Sequence, residues 1–516
     1  MSRYSVFDLS HEHKLTGNMG YLYPCMLTEV MPGDRFRDTS DMVLRMMPLV
    51  APMMHRVECF MHFFFVPTRL LWKDFGTFLT GGDKGDEVVE APYMKNVANA
   101  RFTQGIGSLG DYLGLPVGTA SIRCSALPFR AYALIYNEFY RDQNVIDKVG
   151  FSDGNGEDTT TNTELLKRAW QRGYFENALP WAQKGETVDV PFAQNIPVYA
   201  GDNPTRLRVA GTGDTAVNMG FIRGASTGTG ATSATVRYTA DGADDNTTNL
   251  YAKLDAGDAV SINDLRLAFQ VQRFLERNAR GGSRYIEFLL SHFGVRSSDA
   301  RLQRPEYIGG GKCPIVVGDV LQTSSTDETT PQGNMAGQGY AAMHAPGFRY
   351  RAEEFGYIVG LLSVMPKPTY QQGLARLWSR FSRYDYPLPV FAHLGDQPIF
   401  QREIYWQSNN AKSSESDNGY TTANNAVFGY APRYEEMRKI PSQVHGEFRS
   451  TLQFWHLGRF FEESPTLSAD FINCTPSDRV FATQDGSDKL VVQILHRMSV
   501  VRQLPKFGVP GLIDHN

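Results

Sequence analysis

VECFMHFFFVP, residues 57–67, is the stretch on which the fold turns. From Val57 to Val66 it is too apolar and aromatic for a strand with one face in water. It therefore predicts a strand buried on both faces and closed by Pro67. FGYIVGLLSVMP, with its run from Phe355 to Met365 again closed by a proline, predicts a second strand of this kind. Toward the C-terminus, Phe448, Leu452 and Phe454 of GEFRSTLQFWHL share one face at the two-residue period of a strand, and KLVVQILHRMSVV predicts another. These segments lie hundreds of residues apart, so their sheet must be assembled from non-local pairings.

Helices are expected between them. Phe129, Tyr132, Ala133, Tyr136, Phe139 and Tyr140 fit one helical face, with Pro128 placed to start it. SINDLRLAFQVQRFLERNAR, residues 261–280, predicts another. Ser261 and Asp264 resemble a capping box, Arg273, Arg277 and Arg280 suit the C-terminal dipole, and Gly281-Gly282 stops it. Strands joined by long connections that carry helices and loops suit a jelly roll.

At 516 residues the chain would by length alone hold roughly three domains, although large β domains with insertions reach this size. Its 32 Phe, 24 Tyr, 48 Gly and 27 Pro favour β structure rich in turns. With 51 basic and 55 acidic residues the formal charge is −4, so any nucleic-acid contact must be a local patch or pass through a partner. Cys25, Cys59, Cys124, Cys313 and Cys474 are scattered without CxxC spacing, which predicts free thiols in a reducing cytoplasm. The N-terminal MSRYSVFDLSHEHKLTGNMGYLYP has no signal-peptide run, and no stretch approaches membrane-spanning length; no membrane insertion is expected.

One segment changes character. From 198 to 262, 30 of 65 residues are Gly, Ala or Thr, with acidic clusters at Asp241, Asp244 and Asp245. Interspersed Val217, Phe221, Val236, Tyr238, Leu250 and Tyr251 predict short strands of a projecting subdomain rather than a flexible linker.

Enzyme signatures fail on context. Gly105 to Gly110 fits GxGxxG, but no clear strand precedes it and DYLGLP, read as a non-helical segment, follows. Gly311-Lys312 is followed by Cys313, and Glu306 occupies the first glycine of a phosphate loop, so the triple glycine is read as a turn. His55 and Cys59 would share a strand face with His62 on the other, and His11 and His13 have no further ligands, so no metal and no cofactor is expected. No catalytic residues assemble from local signatures, and Asn246-Thr247-Thr248 is a sequon of little weight without secretion. The strongest basic–aromatic cluster interleaves Arg376, Arg380 and Arg383 with Trp378, Phe381 and Tyr384. Such chemistry holds phosphates and stacks on bases, but it is also the chemistry of a subunit contact, which is the reading preferred for this cluster.

Nine passages in order, among them HKLTGNMGYLYPCMLTEVMPGDRF, HFFFVPTRLLW, LPFRAYALIYNEFYRDQN, FAHLGDQPIFQREIY and PKFGVPGLIDH, resemble the major capsid protein of the Microviridae, gokushovirus branch. The resemblance implies an eight-stranded antiparallel jelly roll with long inserted loops, spanning 1–516 as one domain, whose copies close a single-layered T=1 icosahedral shell. It implies a circular single-stranded DNA genome, a small basic DNA-packaging protein, an internal scaffolding protein, a pilot protein and a bacterial cell-surface receptor as partners. It places a threefold protrusion in the 198–262 insertion, making Phe221, Arg223, Tyr238, Asp241, Asp244 and Asp245 candidates for the receptor surface. Assembly is expected in the host bacterial cytoplasm. A glycan-binding β sandwich and a jelly-roll glycan hydrolase, which needs two facing carboxylates, are the alternatives.

Overall fold

The computed structural model describes residues 4–95, 105–118, 122–186, 188, 198–200, 205–209, 236–240, 250–252, 262–282, 284–321, 335–407 and 420–506. Ten strands form its main sheet: β1 (Ser5–Asp8), β2 (His11–Gly17), β3 (Tyr23–Val30), β4 (Arg35–Met46), β5 (Val57–Pro67), β6 (Glu306–Pro314), β7 (Val316–Leu321), β8 (Met335–Arg351), β9 (Gly356–Pro366) and β10 (Leu490–Arg502). Eight follow one another in the order β1-β10-β4-β8-β6-β5-β9-β3, while β2 also pairs with β10 and β7 with β8. Every pairing is antiparallel, and the curled sheet is a jelly roll.

The deciding stretch is β5, and its two faces enter two different cores. Cys59, Met61, Phe63 and Phe65 point into the interior of the curl with Phe36, Met42, Leu44, Ile358, Leu362, Val492 and Ile494. Phe64 and Val66 point the other way, into a second core with Val359 and Leu361 of β9. Burying each such phenylalanine contributes roughly 2–3 kcal/mol, which is why this run cannot alternate with polar residues. The second core is closed by α1 (Leu127–Ile135), which carries Pro128 in its first turn and continues as a π-helical turn over Tyr136–Tyr140. Tyr132, on its inner face, donates its hydroxyl to the Leu22 carbonyl at 2.9 Å. Strands β4 and β10 alternate instead, with buried and exposed residues in turn, the pattern of a sheet with one face on the core and, among the described residues, no helix packed on the other.

Three expectations are corrected. GEFRSTLQFWHL is not a strand: it forms 3-10 turns at Gly446–Arg449 and Gln453–Trp455, opened by Gly446 at φ +66°. The triple glycine is not a turn but the middle of β6, beside a register shift between Tyr307 and Gly309. A Cβ on Gly309 would stand 2.6 Å from the Gly347 carbonyl oxygen, so close backbone approach requires the glycine there. Gly105–Gly110 is followed by a helical turn after all, Leu109–Tyr112, with Ser108 accepting from the Asp111 N–H.

The chain divides into two compact units, Met1–Lys184 with Glu276–Asn516, and Gly185–Leu275. Within the second, Val198–Ala200 pairs with Leu250–Ala252 and Thr205–Val209 with Val236–Ala240, all antiparallel. The helix Ile262–Gly281 ends at Gly282, whose φ is +99°; its expected cap Ser261 lies outside the described residues.

Candidate nucleic-acid interface

The basic–aromatic cluster stands on irregular backbone between β9 and the C-terminal strands. Arg376–Ser379 is a single 3-10 turn, and Asp385 fixes the bend behind it by accepting the N–H groups of Phe381 and Ser382 at 3.0 and 2.6 Å. Beneath lies a satellite core of Tyr174, Phe175, Tyr370, Ile399, Ile404 and Phe428. An apolar-walled cavity of about 380 Å³ opens beside the turn, with Leu374, Trp378 and Ile440 on its wall.

The structure separates the arginines from the aromatics. Arg376 is nearly enclosed and gives two hydrogen bonds to Glu403 Oε1, at 3.2 and 2.7 Å, with a third to the Pro398 carbonyl. Glu403 in turn accepts from Tyr174 at 2.8 Å and from the Phe400 N–H at 3.0 Å. Burial alone would lower the Arg376 pKa, but Glu403 and its neighbours outweigh it and hold the guanidinium above its ordinary value. Arg380 faces Glu436 at 3.5 Å, also nearly enclosed. Arg383 folds back onto Tyr384, whose hydroxyl it reaches at 2.8 Å. Trp378, Phe381 and Tyr384 remain exposed, at 67%, 64% and 55%. Two of the three cations expected to hold phosphate thus hold the protein's own carboxylates, and the exposed part of the cluster is aromatic.

Nearby polar groups are structural in the same way. Tyr370 donates to the buried Glu176, whose carboxyl is pushed up by burial, and Arg459 reaches the Tyr370 hydroxyl at 3.2 Å. Of the imagined metal ligands, His55 sits before β5 rather than on it and bonds the Lys367 carbonyl oxygen at 2.8 Å, while His62 bonds Tyr140 at 2.8 Å. Among the described residues no group of three metal-ligating side chains converges, and no helix is long and apolar enough to cross a membrane. The five cysteines are unpaired; Cys59 and Cys313, 254 positions apart, are direct cross-strand partners of β5 and β6. Of the receptor candidates, Tyr238 lies in Val236–Ala240, and Phe221, Arg223, Asp241, Asp244 and Asp245 lie outside the described residues.

The sequence reading passed over a second basic set. Arg35, Arg37 and Arg45 of β4, Arg349 and Arg351 of β8 and Arg497 of β10 are exposed on the outer face of the sheet. The signal was present in RFRDTSDMVLRM, which alternates charged and apolar residues at the two-residue period.

The chain matches the family model described as Capsid protein (F protein) over residues 1–512. It is 36% identical to Capsid protein VP1 of Chlamydia phage 1, in an alignment covering 99% of this chain and 96% of that one. Capsid protein VP1 of Bdellovibrio phage phiMH2K is 36% identical, with 98% and 95% covered. Capsid protein VP1 of Spiroplasma virus 4 is 30% identical, again with 98% and 95% covered.

Proposed function

The chain belongs to the capsid protein (F protein) family, and from that premise we propose that its copies close an icosahedral T=1 shell around a circular single-stranded DNA genome. A structural subunit of the virion, assembled in many identical copies, is what the family match establishes; the glycan-binding and glycan-hydrolase alternatives gain no support from it. The observation that supports the finer reading most is the full-length similarity to coat proteins of small phages, carried on a jelly roll. Such a shell closes by repetition of modest interfaces under symmetry, and no catalytic step is assigned to this chain.

On this reading assembly takes place in the host bacterial cytoplasm. An internal scaffolding protein, a small basic DNA-packaging protein and a pilot protein complete the particle. The near-neutral charge suits a coat that leaves most genome neutralisation to such a partner. The 198–262 insertion is read as the host-facing protrusion that meets a cell-surface receptor. The Arg376–Tyr384 cluster is read as a subunit contact rather than a DNA site, because Arg376 and Arg380 are already spent on Glu403 and Glu436. Negative-stain microscopy and sedimentation of the purified protein test the central reading. Closed shells of uniform size, with nuclease-protected single-stranded DNA in virions, are expected; a stable monomer with no particles overturns it.

A further inference from the structure

The sheet has two unlike backs. Behind β5 and β9, α1 and the second core close the surface. Behind β4, β8 and β10 the outward face carries six exposed arginines, Arg35, Arg37, Arg45, Arg349, Arg351 and Arg497. Register places Arg35 opposite Arg351, Arg37 opposite Arg349 and Arg45 opposite Tyr340. Two like-charge pairs on neighbouring strands work against folding, so stability is not what they serve. The only acidic residues of these three strands are Asp38, which is buried, and Asp41, which is already held by Arg497 at 2.7 Å and by His344. Among the described residues, Arg35, Arg37, Arg45, Arg349 and Arg351 have no carboxylate at ion-pair distance. The chain as a whole is slightly acidic, so this face is a local segregation of charge and not a reflection of composition.

We propose that the outer face of β4, β8 and β10 binds the phosphodiester backbone of single-stranded nucleic acid, with Arg35, Arg37, Arg349 and Arg351 holding phosphates. The proposal rests on the reading of the chain as the coat of a single-stranded DNA particle, and it fixes which side of the sheet faces the genome. Same-face residues along a strand stand about 6.8 Å apart, a step comparable to that between phosphates of an extended single strand. The guanidinium fork matches two phosphate oxygens at once. At the other end of β4 from that quartet, around Arg45, Tyr340, Val43 and Val491 are 51%, 48% and 42% exposed, and the Tyr340 ring opposite Arg45 offers a stacking surface for a base. An acidic protein partner would satisfy the same charge, and the salt dependence of binding separates the two.

Full-length chain carrying R35Q, R37Q, R349Q and R351Q together, compared with the corresponding four Lys substitutions, tests this. In the Gln variant, shells of normal size and number are expected, with DNA per shell reduced at least twofold. Affinity of the dissociated chain for an oligothymidylate of about 30 nucleotides should lose about 3 from its log–log salt slope, since each lost phosphate contact removes about 0.7. The Lys set should keep both values near wild type. Normal shells with a normal DNA load and an unchanged slope overturn the proposal. Few shells with an unchanged slope overturn it too, in favour of a contact with an acidic neighbour. If the fourfold Gln chain is insoluble, R37Q alone should still lower the slope by about 0.7, and no change there overturns the assignment. Wild-type shells devoid of nucleic acid would instead sink the underlying reading, a failure visible before any substitution is made.

Discussion

Ser40 and His496 face each other across β4 and β10 and share a hydrogen bond of 2.8 Å inside the core. The Ser40 hydroxyl also lies 2.7 Å from Asp38 Oδ2, and His496 Nε2 lies 3.0 Å from the Cys25 carbonyl oxygen. A carbonyl only accepts, so Nε2 carries the ring proton and Nδ1 accepts from Ser40. That spends the single hydroxyl hydrogen, and Asp38 must then bring a proton of its own. Burial pushes Asp38 up to about 6 and His496 down to about 4, both toward the neutral forms the chain of bonds requires.

Stability therefore depends on pH through Asp38. Its pKa is raised from about 3.9 in the unfolded chain to about 6, so its contribution is complete below about pH 4 and is lost as pH rises through about 6. Asp38→Asn supplies a permanent amide N–H to Ser40. It should stabilise the dissociated subunit by about 1–3 kcal/mol at pH 7.5 and by much less at pH 4.5. Denaturant unfolding at the two pH values checks this; an equal effect at both would refute the protonated carboxyl. His496 acts in the opposite sense, favouring the fold above about pH 6.5 and withdrawing that support as pH falls toward 4.

Two glycines mark where the sheet bends. Gly347 follows the register shift of β8 against β4, and a Cβ there would stand 2.2 Å from the Asp38 carbonyl oxygen. Gly310, at φ +152°, would place a Cβ 2.4 Å from the Met61 carbonyl oxygen. Gly347→Ala should cost about 3 kcal/mol or more, since backbone on the neighbouring strand has to move. Gly76→Ala, in the exposed helix Phe75–Thr80 with open space around it, should be neutral or gain up to about 1 kcal/mol. Soluble yield and thermal midpoint of the pair decide it: similar behaviour of both variants would show that the approach at Gly347 is tolerated.

What could be read in the sequence followed from burial on both faces. Val57–Pro67 and Gly356–Pro366 carry apolar residues at nearly every position, and no water-facing alternative exists for them. Strands with one wet face were harder: β4 mixes Arg, Asp, Ser and Met, and its alternation shows only once a two-residue period is imposed. The apparent period in Phe448, Leu452 and Phe454 was accidental: the segment turns in 3-10 geometry, and among the described residues no strand pairs with it. The interleaving of Arg376, Arg380 and Arg383 with aromatics was real, but their carboxylate partners Glu403 and Glu436 lie 27 and 56 positions from Arg376 and Arg380. Pairing at such separations is decided by tertiary structure alone.

Arg376→Gln should therefore act on the fold before it acts on DNA. It leaves Glu403 enclosed without its cation, a loss of about 3–5 kcal/mol, and few soluble subunits should result. Trp378→Ala removes an exposed ring and should leave the isolated subunit's thermal midpoint unchanged while lowering the yield of shells severalfold. Shells that do form should carry a normal DNA load. Normal shell yield with reduced DNA in the Trp378 variant would restore the cluster as a genome contact.

The 198–262 insertion offers the sharpest separation of folding from attachment. Ala200 and Leu250 are direct partners in the antiparallel pair that joins Val198–Ala200 to Leu250–Ala252, so their Cα atoms stand about 5 Å apart. A short Gly/Ser bridge in place of residues 201–249 then closes the gap without pulling on either strand. Among the described residues, the members of the jelly-roll cores lie outside that range. The shortened chain should stay soluble, melt within a few degrees of the full one and still sediment as shells. On the proposed reading of this segment as the host-facing protrusion, particles built from it should no longer adsorb to host cells. Binding of labelled particles to cells, measured beside sedimentation of the same preparation, reads both properties at once. Loss of solubility would place the insertion in the folding unit, and full adsorption would move the receptor surface elsewhere on the shell.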